Sequence, residues 1–182
     1  MRQLFEIDLH DYENCDEIFK RPSVRGIILR ENSKIALVYS QKEGYYKFPG
    51  GGVHENEDKE ETLIREVREE VGLIVIPESI SEFGSVMRRQ RSNQSPNTIF
   101  EQENFYYLCQ ADNQIVSQEL DDYEAEEGFV LRYVSLDEAI RSNLSYKSED
   151  SFNEIMIMRE AKVLQMVKNE LDNHKIILTK FG

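Results

Sequence analysis

The chain contains no tryptophan, only two cysteines, three histidines and four prolines in 182 residues. The cysteines, Cys15 and Cys109, are far apart and form no metal-type spacing, which excludes a disulfide framework and a cysteine-based zinc site. Cys109 lies in an apolar, strand-like run and reads as a small buried hydrophobe. Basic residues are scarce: 22 Lys and Arg stand against 35 Asp and Glu, a net charge of −13. Long nucleic acids and anionic membranes need basic patches, so this surface argues against both. No apolar run is long enough to span a bilayer, and the opening MRQLFEIDLHDYE lacks the apolar core of a signal peptide. The expectation is a soluble, cytoplasmic protein of one domain acting on a small molecule.

Against that background one segment is dense with pattern. Gly51, Glu57, Arg65, Glu66, Val67, Glu69, Glu70, Gly72 and Leu73 stand at fixed spacing. From Asp58 to Val71 there is neither Gly nor Pro, and good helix formers dominate. Glu66, Glu69 and Glu70 fall at i, i+3 and i+4, on one face of such a helix. Leu63, Val67 and Val71 form an apolar stripe on another. Gly72 follows as a helix stop. Clustered carboxylates repel one another, a bound cation relieves that repulsion, and all-oxygen ligands suit Mg²⁺ or Mn²⁺. Arg65, four residues before Glu69, can orient or partly neutralise a carboxylate. Taken alone, the three glutamates are equally an ordinary solvated acidic helix.

The whole pattern resembles the Nudix box, with every defining position filled. The flanks fit: Phe48-Pro49-Gly50-Gly51 is similar to the aromatic-Pro-Gly-Gly entry to the box, and Tyr133 to Ala139 to the strand-to-helix segment after the last core strand. The resemblance covers residues 22 to 142. It implies an α/β/α sandwich on a mixed sheet, to which this chain adds an N-terminal extension over 1–21 and a helix and strand within 143–182. It implies metal-dependent hydrolysis, with Mg²⁺ or Mn²⁺, of a nucleoside diphosphate linked to another group. By the same resemblance Glu66, Glu69 and Glu70 are metal ligands, the Gly50 or Gly51 carbonyl is a further one, and Glu69, Glu70 and Arg65 serve catalysis. A carboxylate from a distant loop is also implied. Of the acidic run Glu124, Glu126, Glu127, the spacing to Tyr133 favours Glu127 as ligand or general base. The marks of the known substrate subfamilies are absent, which leaves a modified nucleoside triphosphate and a nucleotide sugar both open. A ligand sensor or a diphosphate isomerase of the same fold are the alternatives, although no metal glutamate is lost and neither cysteine adjoins the box.

Substrate contacts carry weaker signals. Arg88, Arg89 and Arg91 form a basic cluster in an acidic chain. They suit a phosphate or sugar, or equally are strand-end charges that discourage edge pairing. Lys47 faces the phosphates or is a surface lysine. Tyr45 and Tyr46 stack on a base or belong to the core. His54 replaces a frequent glutamate and reads as incidental, and Asn56 tolerates the left-handed turn that a glycine often occupies.

The remaining pattern predicts strands over 2–9, 24–29, 35–39, 45–48, 80–87, 99–109 and 129–134, and helices over 136–141 and 151–173. Polar connections are expected at 11–20 and 88–98, and a terminal strand at 176–179. The last helix is apolar on more than one face between Ile155 and Val167. That implies burial on two sides, against this domain or across a homodimer interface.

Overall fold

The computed structural model describes residues 1–173; the expected strand at 176–179 lies outside them. The architecture is a mixed α/β sandwich. Its sheet has the order β1 (Gln3–Asp8), β7 (Ser81–Arg91), β8 (Thr98–Leu108), β3 (Ser23–Arg30), β4 (Lys34–Ser40), β10 (Phe129–Ser135). β2 (Glu17–Lys20) runs parallel to the start of β8, and β3 runs parallel to its end. β5 (Tyr46–Lys47) adds to β4. A small second sheet pairs β6 (Leu73–Val75) with β9 (Ala111–Ile115).

The central strands are buried on both faces, so their sequences are continuous apolar runs rather than alternations. Along β3, Val24 and Ile28 join one core while Ile27 and Leu29 join the other; along β4, Ala36 and Val38 separate in the same way from Ile35 and Leu37. The first core is closed by α1 (Lys59–Val71) through Leu63, Val67 and Val71. The second is closed by α3 (Leu136–Ser145) and α4 (Ser151–Asp172), with Ala139, Ile140, Val163, Leu164 and Val167. Packing onto the domain itself thus accounts for most of the apolar width of α4. Among the described residues no helix is long and apolar enough to cross a membrane.

The structure departs from expectation in three places, each for a physical reason. The segment 11–20 contains β2, whose four residues are all exposed; its pairing is by backbone and leaves no burial pattern in the sequence. β7 continues through Arg91, paired with Ile99 of β8, where a polar connection was expected. There the inward side chains are Arg88 and Gln90, both buried, so a polar buried face hides the strand. The acidic stretch before Gly128 is a short helix, α2 (Asp122–Glu127), started by Asp121 in a capping box with Glu124.

Cys109 is buried, and burial pushes its thiol up to about 12. Cys15 is partly exposed. At pH 8 a thiol-specific reagent should therefore modify one cysteine rapidly in the folded protein and two in denaturant. Two fast thiols in the folded protein would show that the α1-side core is open.

Candidate metal and diphosphate site

The site begins with the entry and start of α1. Asp58 caps the helix by accepting the amides of Glu60 and Glu61. Before it, the chain turns at Gly50 with φ 140°, a conformation open to glycine and costly for other residues. A side-chain carbon at Gly50 would overlap the Val24 carbonyl, and one at Gly51 would overlap the Glu66 carboxylate. The two glycines therefore let the turn lie directly against the acidic face of α1.

Four of the box carboxylates meet cations or amides there. Glu70 is 1 % exposed. One of its oxygens accepts the Gly50 N–H at 2.7 Å, and the other accepts Lys47 Nζ at 2.6 Å. Lys47 also lies over the Phe129 ring, 4.2 Å from its centroid. Arg65 works as a hub: it holds both oxygens of Glu57 at 2.8 Å and bridges Glu66 and Glu69 at 2.7 and 3.1 Å. Burial raises the Glu66 carboxyl above the ordinary range, Arg65 opposes this, and the charge of Glu70 adds to it.

The distant carboxylate is delivered by the C-terminal end of α1. A helix end leaves carbonyls without helical partners. Here Val116 N donates to Gly72 O, Glu119 N to Glu69 O, and the Gln118 amide to Glu70 O. This seal brings α2 alongside α1 and puts Glu124 next to Glu70. Burial first, then the Glu70 charge, push the Glu124 carboxyl up to about 7. A cleft of about 260 Å³ is lined by the Gly51–His54 turn, Arg21, Glu66, Asp121 and Glu124. Arg21 is exposed at its edge, with no side-chain hydrogen bond or ion pair among the described residues.

Several expected site residues are placed differently. Glu127, favoured by spacing, turns toward the end of β4, where it accepts Ser40 Oγ at 3.0 Å and lies 3.3 Å from Lys42. Glu124, one turn earlier in α2, takes the place beside the box instead. Arg88 is fully buried under α4. It donates to Gln90 and to the Phe152 carbonyl and sits 3.9 Å from the Phe152 ring centre. Burial, then the nearby Arg159 charge, bring its guanidinium down to about 9. Arg89 is paired with Glu101 at 2.9 Å, with Glu6 and Asp8 close by. The structure thus brings neither arginine to the acidic cleft. Tyr45 and Tyr46 are core residues, the second packed on Tyr39. His54 is exposed at the cleft, 3.8 Å from Glu57. The Gly50 carbonyl accepts from Arg25 Nη1, and the Gly51 carbonyl accepts Val24 N. Arg21 and Arg25 carried no signal as isolated arginines in the sequence; the strand register alone brings them to the turn.

Among the described residues, no three His, Cys, Asp or Glu side chains are drawn together tightly enough to hold an ion as they stand; Arg65 and Lys47 occupy their oxygens. The donor set nevertheless fits a hard divalent cation. It is all oxygen, and the upward shifts of Glu66 and Glu124 mark buried negative charge that lacks a full counterion.

Known proteins resemble this chain in sequence and in fold. The curated proteins that match are two RNA pyrophosphohydrolases. One, from Acinetobacter baylyi, is 39 % identical over 54 residues, 30 % of this chain and 32 % of that protein. The other, from Halorhodospira halophila, is 37 % identical over 68 residues, 37 % of this chain and 36 % of that protein. The match therefore spans about a third of the length of these relatives. Among solved structures, a NUDIX hydrolase from Nitrosomonas europaea superposes with a TM-score of 0.53 at 17 % identity, covering 78 % of this chain and 89 % of that one. A MutT NUDIX hydrolase from Burkholderia pseudomallei gives 0.51 at 18 % identity, covering 78 % and 98 %. These structural likenesses speak for the fold alone.

Arg65 holds the Glu57 carboxyl down near 2, well under its ordinary 4.5. The pair therefore stabilises the folded state above about pH 4.5 and loses that contribution as pH falls toward 2. In metal-free protein, the melting-temperature gap between wild type and Glu57→Gln should be constant above pH 5 and close between pH 4.5 and 2. A gap that persists at pH 2 would contradict the pairing.

The NUDIX domain sequence model matches residues 19–155, and with the box, the sandwich and the acidic cleft in place, this chain belongs to the NUDIX family.

Proposed function

We propose that this protein is a pyrophosphohydrolase that splits the P–O–P linkage of a nucleoside diphosphate derivative. The observation that carries this reading is the cleft itself: Glu66 and Glu124 line it beside Glu70, together with Arg21, which has no side-chain partner among the described residues. A sensor would need only to bind, and a buried cluster of carboxylates is a costly way to do that without a cation.

Glu66, Glu70 and Glu124 would hold the cation, Mg²⁺ or Mn²⁺, with Glu69 at the rim on Arg65 and the second lone pair of the Gly50 carbonyl as further oxygens. Bound there, such an ion neutralises phosphate oxygens and makes water a better nucleophile. The chain's own groups do the rest. Arg65 fixes the rotamers of Glu66 and Glu69. The Gly50 amide fixes Glu70. Lys47 is the cation nearest the cluster and is positioned to meet a phosphate oxygen when it leaves Glu70. Arg21 presents a guanidinium fork to the outer phosphate, the geometry that arginine suits best. As water attacks phosphorus its proton passes to a carboxylate in or beside the cleft, Glu124, Glu69 or Glu70, and the bridging P–O bond breaks to release the phosphate-bearing leaving group. Glu127 and Arg88 fall outside this reading because of where they lie.

A second reading is favoured by the names of the curated relatives: the diphosphate is the 5′ end of an RNA. The net charge of −13 disfavours contact along an RNA backbone. It leaves room for a triphosphate end entering alone.

Purified protein with Mg²⁺ should release pyrophosphate or a nucleoside monophosphate from a panel of nucleoside triphosphates, nucleotide sugars and 5′-triphosphorylated RNA. Glu70→Gln should lower kcat by about a hundredfold or more, several kcal/mol of charge stabilisation. Wild-type turnover in that variant would overturn the site. Arg21→Ala should raise KM roughly tenfold, the worth of one charge-assisted hydrogen bond, with a smaller change in kcat. An unchanged KM would remove Arg21 from the substrate site.

A further inference from the structure

The helix α4 carries two ionisable side chains that a packing helix does not need: Arg159 and Glu160, 1 % and 0 % exposed. Burying an ion pair brings little net stability compared with apolar residues of the same size. Its connections are therefore informative. Glu160 accepts Arg159 Nε and Nη2 at 3.1 and 3.0 Å and the Tyr106 hydroxyl at 2.8 Å on one oxygen. Its other oxygen accepts the backbone N–H of Phe48 at 2.8 Å. Phe48 is two residues before Gly50, whose N–H holds Glu70 and whose carbonyl is held by Arg25. Pro49, between them, has a fixed φ and no N–H of its own; its carbonyl accepts the Gly26 N–H at 2.8 Å, and the Phe48 amide is the last N–H before Gly50 that a side chain can accept.

A second thread leads to the same place. Arg25 is buried, with a guanidinium Nε that meets no hydrogen-bond partner among the described residues. Its charge acts on both Glu160 and Glu66. One carboxylate on α4 therefore reaches the acidic cleft through the Phe48–Gly50 turn to Glu70, and Arg25, whose charge it faces, donates to the Gly50 carbonyl of the same turn. Burial alone would raise Glu160 out of its charged form, and Arg159 and Arg25 bring it below the ordinary range instead. Glu160 lies beyond residue 155, where the family match ends.

We propose that Glu160 is a positioning residue of the hydrolytic site, which clamps the Phe48–Gly50 turn so that the Gly50 amide holds Glu70 in its metal-binding place. This rests on the reading of the site as a metal-dependent hydrolase. Supports of this kind, one bond removed from the ligands, typically contribute 10- to 100-fold in metal affinity or activity.

The test compares Glu160→Gln with Tyr106→Phe, which removes a hydrogen bond from the same carboxylate but leaves the oxygen on Phe48 free to act. Three quantities are read on each full-length protein: amide hydrogen exchange at Phe48 and Gly50, Mn²⁺ affinity by titration, and kcat and KM on the best substrate of the panel. For Glu160→Gln the expectation is faster exchange at both amides, roughly tenfold weaker Mn²⁺ binding, and a loss in kcat with KM little changed. Tyr106→Phe should lower the melting temperature with these readouts near wild type. If Glu160→Gln alone leaves Arg159 too costly to bury, the double variant Arg159→Met/Glu160→Gln removes both charges and carries the same expectation. Wild-type exchange, affinity and kcat in the Glu160 variants would overturn the proposal and leave the hydrolase intact. Equal losses in Tyr106→Phe would reduce Glu160 to a structural role. A wild-type protein that neither binds Mn²⁺ nor turns over any substrate would sink the hydrolase reading instead, and the amide exchange would still decide whether Glu160 holds the turn.

Discussion

The hydrogen bond from the Gly50 amide to Glu70 organises this molecule. It joins the turn that ends β5 to the acidic face of α1, and it does so inside the protein, where Glu70 is almost wholly shielded from water. A hydrogen bond to a charged group of this kind typically contributes about 1.5–3 kcal/mol. Much else serves to keep it. Gly50 and Gly51 let the turn approach, Lys47 takes the second oxygen, Arg65 spaces the neighbouring glutamates, and the segment 116–119 seals the end of the helix.

That arrangement sets two electrostatic effects against each other. Burial disfavours each carboxylate, and the carboxylates disfavour one another. Arg65, Lys47, Arg25 and the amides oppose this, and at Glu66 and Glu124 they do not win: both carboxyls stay raised. A domain selected for stability alone would have apolar residues here. The surplus of negative charge is the physical argument for a cation, and the cation is the argument for phosphate chemistry.

The sandwich and the box were legible because their signals are local. Helix α1 is written in its formers and its Gly72 stop, and β3 and β4 in apolar runs. What failed to show in the sequence depended on register and on polar burial. Arg88 looked like a free strand-end cation because nothing local reveals that Phe152 and Phe100 cover it. Glu127 fitted the spacing to Tyr133, yet α2 is a helix, and a turn of helix separates the carboxylate at Glu70 from the one at Ser40. Arg21 and Arg25 become site residues only when β3 lies against the Gly50–Gly52 turn, and Glu160 only when α4 folds over β5. Sequence distance hid each of these, since the partners are drawn from positions 20 to 112 residues apart.

If the buried glutamates form a divalent-cation site, titrating Mn²⁺ into EDTA-stripped wild type and Glu70→Gln, with and without a non-hydrolysable nucleotide, should give saturable binding by the wild type, strengthened by nucleotide and largely lost in the variant. Equal binding by both proteins, or none by the wild type even with nucleotide present, would contradict it.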